Sequence, residues 1–127
     1  MLERNHPKTD LKKILIIEDE GDMCLLLDKL LRSRDVQVDH VKNLFDAHIF
    51  LKHKQPELIL LDNRLPDGYG LDFIGYIKNR YPAIKIIMIS GIDAAAQDFA
   101  LEVGADNFLT KPFTKQQLHE SIDRVLN

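Results

Sequence analysis

Five short apolar runs punctuate the chain: Ile14 to Ile17, Val36 to Val41, Leu58 to Leu61, Ile84 to Ile89 and Phe108 to Leu109. Four of them are too short to be helices. Ile14-Leu15-Ile16-Ile17, Leu58-Ile59-Leu60-Leu61 and Ile86-Ile87-Met88-Ile89 also lack alternation, as expected of parallel strands covered on both faces. Between the runs, apolar residues recur at helical spacing. Leu26, Leu27, Leu30 and Leu31 mark the inner face of a first helix; Leu44, Ala47, His48 and Leu51 mark that of a second, with Asn43 as N-cap. A third helix is expected from about Leu71 to Arg80, before Tyr81-Pro82, and a fourth from Asp93 to Val103 with Gly104 as its C-cap. The fifth opens at Thr114, with Gln117 completing a capping box and Leu118, Ile122 and Val125 facing inward. Five strand-helix pairs in strict alternation predict an α/β fold: a flavodoxin-like, doubly wound, five-stranded parallel sheet with right-handed crossovers and five helices.

Length and composition narrow this picture without changing it. A chain of 127 residues makes one domain that buries roughly two-thirds of its unfolded surface. Met1 to Asp10 is almost wholly polar, so residues 1–11 are expected to be a flexible leader and 12–127 the domain. A net charge of -3 lacks the basic footprint of a nucleic-acid binder. The apolar runs fall far short of the roughly 20 residues of a membrane span. The lone Cys24, in Met23-Cys24-Leu25-Leu26-Leu27, reads as a buried helix position rather than a reactive thiol, and a reducing cytoplasm fits it. His6, His40, His48, His53 and His119 show no metal-ligand spacing.

Candidate chemistry sits where the apolar runs end. Glu18-Asp19-Glu20 follows the first, Asp62 the third, Ser90 the fourth, and Lys111 comes just before Pro112 after the fifth. Taken singly, each is an ordinary cap, turn or surface charge. Their joint placement is informative, because ligands bind an open parallel sheet beyond the carboxyl ends of its strands, where strand order reverses. For the order 2-1-3-4-5 that point lies between the first and third strands, so at least three carboxylates share one crevice. At about 5 Å their repulsion is roughly 3 kcal/mol per pair at an effective dielectric of 20. A hard divalent cation such as Mg2+, with Mn2+ as a substitute, relieves it. Asp67-Gly68 and Gly70 read as turn chemistry.

The segments Ile16-Ile17-Glu18-Asp19-Glu20, Leu60-Leu61-Asp62-Asn63-Arg64-Leu65-Pro66-Asp67-Gly68-Tyr69-Gly70, Ile89-Ser90-Gly91 and Gly104-Ala105-Asp106-Asn107-Phe108-Leu109-Thr110-Lys111-Pro112-Phe113 resemble, in order and across the whole domain, the receiver domain of two-component response regulators, as in the chemotaxis regulator. That resemblance implies a signalling phosphoacceptor rather than an enzyme in the usual sense. It makes Asp62 the phosphoacceptor, supplied by a phosphohistidine on a sensor histidine kinase or phosphotransfer protein. Asp19, Asp62 and the backbone carbonyl of Arg64 would ligate Mg2+, with Glu18 acting directly or through water. Lys111 would neutralise a phosphoryl oxygen and Ser90 bond another, while Phe108 would turn inward as Ser90 moves. Phosphorylation would switch the face formed by the fourth helix, fifth strand and fifth helix, and Lys111-Pro112 would be cis.

The chain departs from the family pattern at some positions. Ser90 to Lys111 is one residue shorter than in the chemotaxis protein, Glu18 stands for Asp, and Gln97 and Ser121 stand where dimerising receivers carry arginines. A monomer or a phosphorylation-dependent dimer both fit. The polar leader beginning at Met1 favours a stand-alone regulator acting on a protein target, with no nucleic acid or membrane contact; a fragment of a larger regulator or hybrid kinase is the alternative. An aspartyl-phosphate phosphatase-like enzyme of the haloacid dehalogenase type needs an Asp two residues after the nucleophile, where this chain has Arg64. A flavodoxin-like cofactor module needs hydroxyls and glycines where Glu18-Asp19-Glu20 would repel phosphate.

Overall fold

The computed structural model describes residues 11–91 and 94–127. Met1 to Asp10 of the leader, and Asp93 at the expected start of the fourth helix, lie outside the described residues. Leu11, the last residue assigned to the leader, is half-buried ahead of the first strand. The elements run β1 (Lys12–Ile17), α1 (Gly21–Leu31), β2 (Val36–Val41), α2 (Leu44–His53), β3 (Leu58–Asp62), β4 (Arg64–Leu65), β5 (Gly68–Tyr69), α3 (Gly70–Arg80), β6 (Lys85–Ser90), α4 (Ala94–Glu102), β7 (Asn107–Thr110) and α5 (Lys115–Leu126). The main sheet is wholly parallel, in the order β2-β1-β3-β6-β7. This is the expected 2-1-3-4-5 arrangement, since β4 and β5 form only a small antiparallel hairpin after β3, in the stretch read from sequence as turn chemistry.

Successive strand residues point to opposite faces of the sheet, and here both faces are covered. Leu15, Ile17, Ile59, Leu61, Ile86 and Met88 pack with Ala47, Leu51, Ile74, Ile77 and Ala100 from α2, α3 and α4. Ile14, Ile16, Leu58, Leu60, Ile87 and Ile89 pack with Leu27, Leu31, Leu118 and Ile122 from α1 and α5. All five residues of β3, which lies between β1 and β6, are therefore buried. Among the described residues, no helix is long and apolar enough to cross a membrane.

Several helical expectations are refined. The buried stripe of α1 is Met23, Leu27, Leu30 and Leu31, at i, i+4, i+7 and i+8. Leu26 lies about 100° around the helix from Leu27 and is 41% exposed. Cys24 lies beside the stripe and is half-buried rather than buried; its Sγ is 3.5 Å from the Glu18 carbonyl oxygen, and burial pushes the thiol pKa up, away from reactivity. Ser121, which stands on α5 where dimerising receivers carry an arginine, is buried and accepts a 2.8 Å hydrogen bond from Asn107 Nδ2. The caps form as read: Asn43 Oδ1 accepts from the Asp46 amide at 2.7 Å, and Thr114 with Gln117 makes a reciprocal capping box.

The end of α4 is a Schellman motif. The Gly104 amide donates to Leu101 and the Ala105 amide to Ala100, while Gly104 itself has φ +125°. A Cβ there would lie 2.9 Å from Lys78 Cγ, in a backbone region that L-residues rarely enter. Gly104→Ala should therefore lower the unfolding free energy by about 1–2 kcal/mol without loss of cooperativity, as read from urea denaturation.

Candidate functional site

Because the five sheet strands are parallel, their carboxyl ends share one edge, and the candidate acids, Ser90 and Lys111 lie there. β1 hands over to Glu18 and Asp19, β3 ends in Asp62, β6 ends in Ser90, and β7 is followed by Lys111. Glu18, Asp62 and Ser90 are buried at 3%, 8% and 5% exposure, whereas Asp19 is exposed. The Lys111 amide donates to the Ser90 carbonyl at 3.0 Å, locking the end of β7 to β6, and the Lys111-Pro112 bond is cis.

The side chains converge. Lys111 Nζ is 3.2 Å from Asp62 Oδ1 and 3.5 Å from Glu18 Oε1. One carboxylate oxygen from each of Glu18, Asp19 and Asp62 can be chosen so that all three lie within 4.8 Å of one another. Arg64, Ser90 and Gly91 complete the cleft. Burial pushes the Glu18 carboxyl pKa up; the Glu20 amide, which donates to Oε2 at 3.1 Å, pulls it back, and the Asp62 charge raises it again. Burial alone would lower the Lys111 ammonium, but Asp62 and Glu18 more than offset that and its pKa ends raised. Four carboxylates, Glu18, Asp19, Glu20 and Asp62, against the two cations Lys111 and Arg64 leave the cleft anionic. Three hard oxygen donors within this distance, one of them solvent-facing, suit a divalent cation that keeps several waters.

Phe108 is not part of the cleft wall. It is buried, 8% exposed, and already turned inward against the α2–α4 side of the core. Two residues that matter to the site carried no functional signal in sequence. Asn63 is buried next to Asp62, and its Oδ1 accepts from the Leu71 amide at 3.1 Å while its carbonyl accepts from the Gly70 amide at 2.7 Å. A Cβ on Gly70 would fall 2.2 Å from the Asp62 carbonyl oxygen, so only glycine lets α3 begin against the end of β3. The Gly-Tyr-Gly spacing was the available clue, and it reads equally well as a turn.

Comparison with known proteins agrees with this architecture. A family model described as the response regulator receiver domain matches residues 14–123. The chain is 37% identical over 118 residues to the response regulator protein PilR of Pseudomonas aeruginosa, covering 91% of this chain and 26% of that protein. It is 38% identical over 111 residues to the transcriptional regulatory protein KdpE of Staphylococcus aureus, covering 87% and 48%. The chain thus spans about a quarter to a half of the length of these curated relatives. Among solved structures, the signal receiver domain of a LuxO repressor from Vibrio parahaemolyticus superposes with a TM-score of 0.86 at 26% identity, covering 91% of this chain and 90% of that one. The beryllofluoride-activated NtrC4 receiver domain gives 0.85 at 30%, covering 91% and 96%.

The electrostatics predict how stability responds to pH and metal. With Glu18 raised, the metal-free native state holds a proton more readily than the unfolded chain, so stability should rise as pH falls from neutral through the raised value and level off below the ordinary glutamate value. Glu18→Gln in chelator should melt higher than wild type near neutral pH and lose this part of the pH dependence in a melting series. Mg2+ at about 100 times its dissociation constant should stabilise wild type by about 2.7 kcal/mol, and Asp19→Asn by less at the same concentration.

Proposed function

Since the chain belongs to the response regulator receiver domain family, and so to two-component signalling, we propose that Asp62 is its phosphoacceptor and that the carboxylate cleft works with Mg2+. The observation that carries this reading is the pairing of Asp62 Oδ1 with Lys111 Nζ at 3.2 Å, inside a cleft that also holds Glu18 and Asp19. Asp62 attacks the phosphorus of a phosphohistidine on a sensor histidine kinase or phosphotransfer protein; the new Asp62 oxygen–phosphorus bond forms as the histidine nitrogen–phosphorus bond breaks. Lys111 neutralises charge on a phosphoryl oxygen as a point charge, and the Ser90 hydroxyl donates to another. Asp19, Asp62, the Arg64 carbonyl and Glu18 would hold Mg2+, whose contribution is to shield the incoming phosphoryl oxygens from the carboxylates. Catalysis by the domain is then positioning and charge neutralisation, which suits a loose phosphoryl transition state.

The β6–β7 register supports a readout across the sheet. Ser90 is paired with Thr110 and Met88 with Phe108, so a shift of Ser90 toward a phosphoryl group is felt along β7 and by the Phe108 ring. The face of α4, β7 and α5 is accordingly the proposed switch surface. Its target is a protein element, on the same polypeptide or another; PilR and KdpE, far longer than the matched segment, favour a receiver joined to further domains.

Incubation with acetyl phosphate and Mg2+ should add one phosphoryl group by intact mass spectrometry, and Asp62→Asn should add none; equal labelling of that variant would overturn the assignment. On addition of beryllofluoride and Mg2+, amide shifts should extend through Ser90 to Thr114. Shifts confined to Glu18–Asp22 and Asp62–Arg64 would mean that nothing propagates to the switch surface.

A further inference from the structure

We propose that Asp67 is a positioning residue for the metal and phosphoryl cleft, acting through the Arg64–Tyr69 hairpin that it pins to the N-terminus of α2. The proposal rests on the Mg2+ site set out above and deepens it.

The chain leaves β3 at Asp62 and enters β4 and β5, strands of two residues each that pair only as Arg64 with Tyr69 and Leu65 with Gly68. Arg64, Pro66, Asp67 and Tyr69 are exposed. A ladder this short has little stability of its own. Yet Arg64 lines the cleft, so the hairpin must be held in place for the cleft to keep its shape.

It is held at two ends. At the base, Asn63 accepts the Gly70 and Leu71 amides, and Gly70 lies against the Asp62 carbonyl. At the tip, Asp67 Oδ1 accepts the Leu44 amide at 2.8 Å and Oδ2 accepts the Phe45 amide at 2.9 Å. Gly68 packs beside the same helix start, where a Cβ would lie 3.0 Å from Leu44 Cδ1. Leu44 and Phe45 carry the first two amides of α2, which have no partner within the helix. A carboxylate at this end also meets the favourable pole of the helix dipole, and these amides hold the Asp67 pKa below its ordinary value.

A cap for α2 alone would explain these bonds, but α2 already has one. Asn43 accepts the Asp46 amide at 2.7 Å, three residues away in sequence, whereas Asp67 reaches 22 and 23 residues back. The two caps therefore separate the roles: losing Asn43 weakens α2 and leaves the hairpin tied, while losing Asp67 weakens α2 and frees the hairpin tip as well. Asn43→Ala is thus a matched control for Asp67→Ala.

The test is an Mg2+ titration of the full chain, followed by amide shifts, on wild type, Asp67→Ala, Asp67→Asn and Asn43→Ala. Groups that orient metal ligands from outside are worth about 10–100-fold in affinity, so Asp67→Ala should bind Mg2+ about tenfold more weakly. Asp67→Asn, which keeps one acceptor oxygen, should fall between it and wild type and serves if the alanine variant does not fold. Asn43→Ala should match wild type. Equal weakening in Asn43→Ala and the Asp67 variants would reduce Asp67 to a helix cap and overturn the proposal, as would unchanged affinity in the Asp67 variants. Normal Mg2+ binding with no acetyl phosphate labelling of Asp62 would sink the phosphoacceptor reading alone and leave Asp67 to be judged by its affinities. A wild type that binds no Mg2+ would overturn both.

Discussion

The structure turns on one electrostatic imbalance. A parallel sheet delivers the ends of all its strands to one edge, and this sequence places Glu18, Asp19 and Asp62 there with Lys111 as the cation bonded to Glu18 and Asp62. Like charges at such separations cost roughly 3 kcal/mol per pair at an effective dielectric of 20, and a single ammonium cannot offset all of them. The fold tolerates this because the rest of the sheet is buried on both faces by two apolar layers. The unmet demand for positive charge is what suits the cleft to a cation.

The same layers bear on the proposed readout from the cleft. Ser90 ends β6, a strand whose residues alternate between the two layers, and its neighbour β7 contributes Phe108 to one layer and Leu109 to the other. Beside it, Asn107 on β7 bonds Ser121 on α5, and Lys78 on α3 bridges Asp106 at 2.7 Å just ahead of β7. A displacement at the end of β6 therefore meets packed side chains in both directions rather than a compressible gap.

Much of this was legible in the sequence, for physical reasons that differ by element. Strands buried on both faces have no choice but to be continuously apolar, so β1, β3 and β6 announced themselves. Caps are local chemistry, so Asn43, Thr114 and Gly104 were readable within a few residues. The cleft residues followed because strand ends are fixed by the strands. What escaped was set by distance in space. Leu26 looked internal because α1 has more leucines than its buried stripe can use. Ser121 is hidden by Asn107 from another element. Gly70 and Asp67 look like turn residues, and only the approach of the Asp62 carbonyl and of the α2 amides distinguishes them.

The strand order also decides which backbone is left unpaired. Among the described residues β2 and β7 each have one free side, and a row of unsatisfied amides invites another chain to extend the sheet. Both edges are poor templates. β2 interrupts its valines with Gln37, Asp39 and His40, and Asp39 is engaged by Lys54 at 3.3 Å. β7 is only four residues long, and Asn107 turns its side-chain oxygen onto the amide of Phe108. A domain with such blunt margins resists aggregation by strand addition.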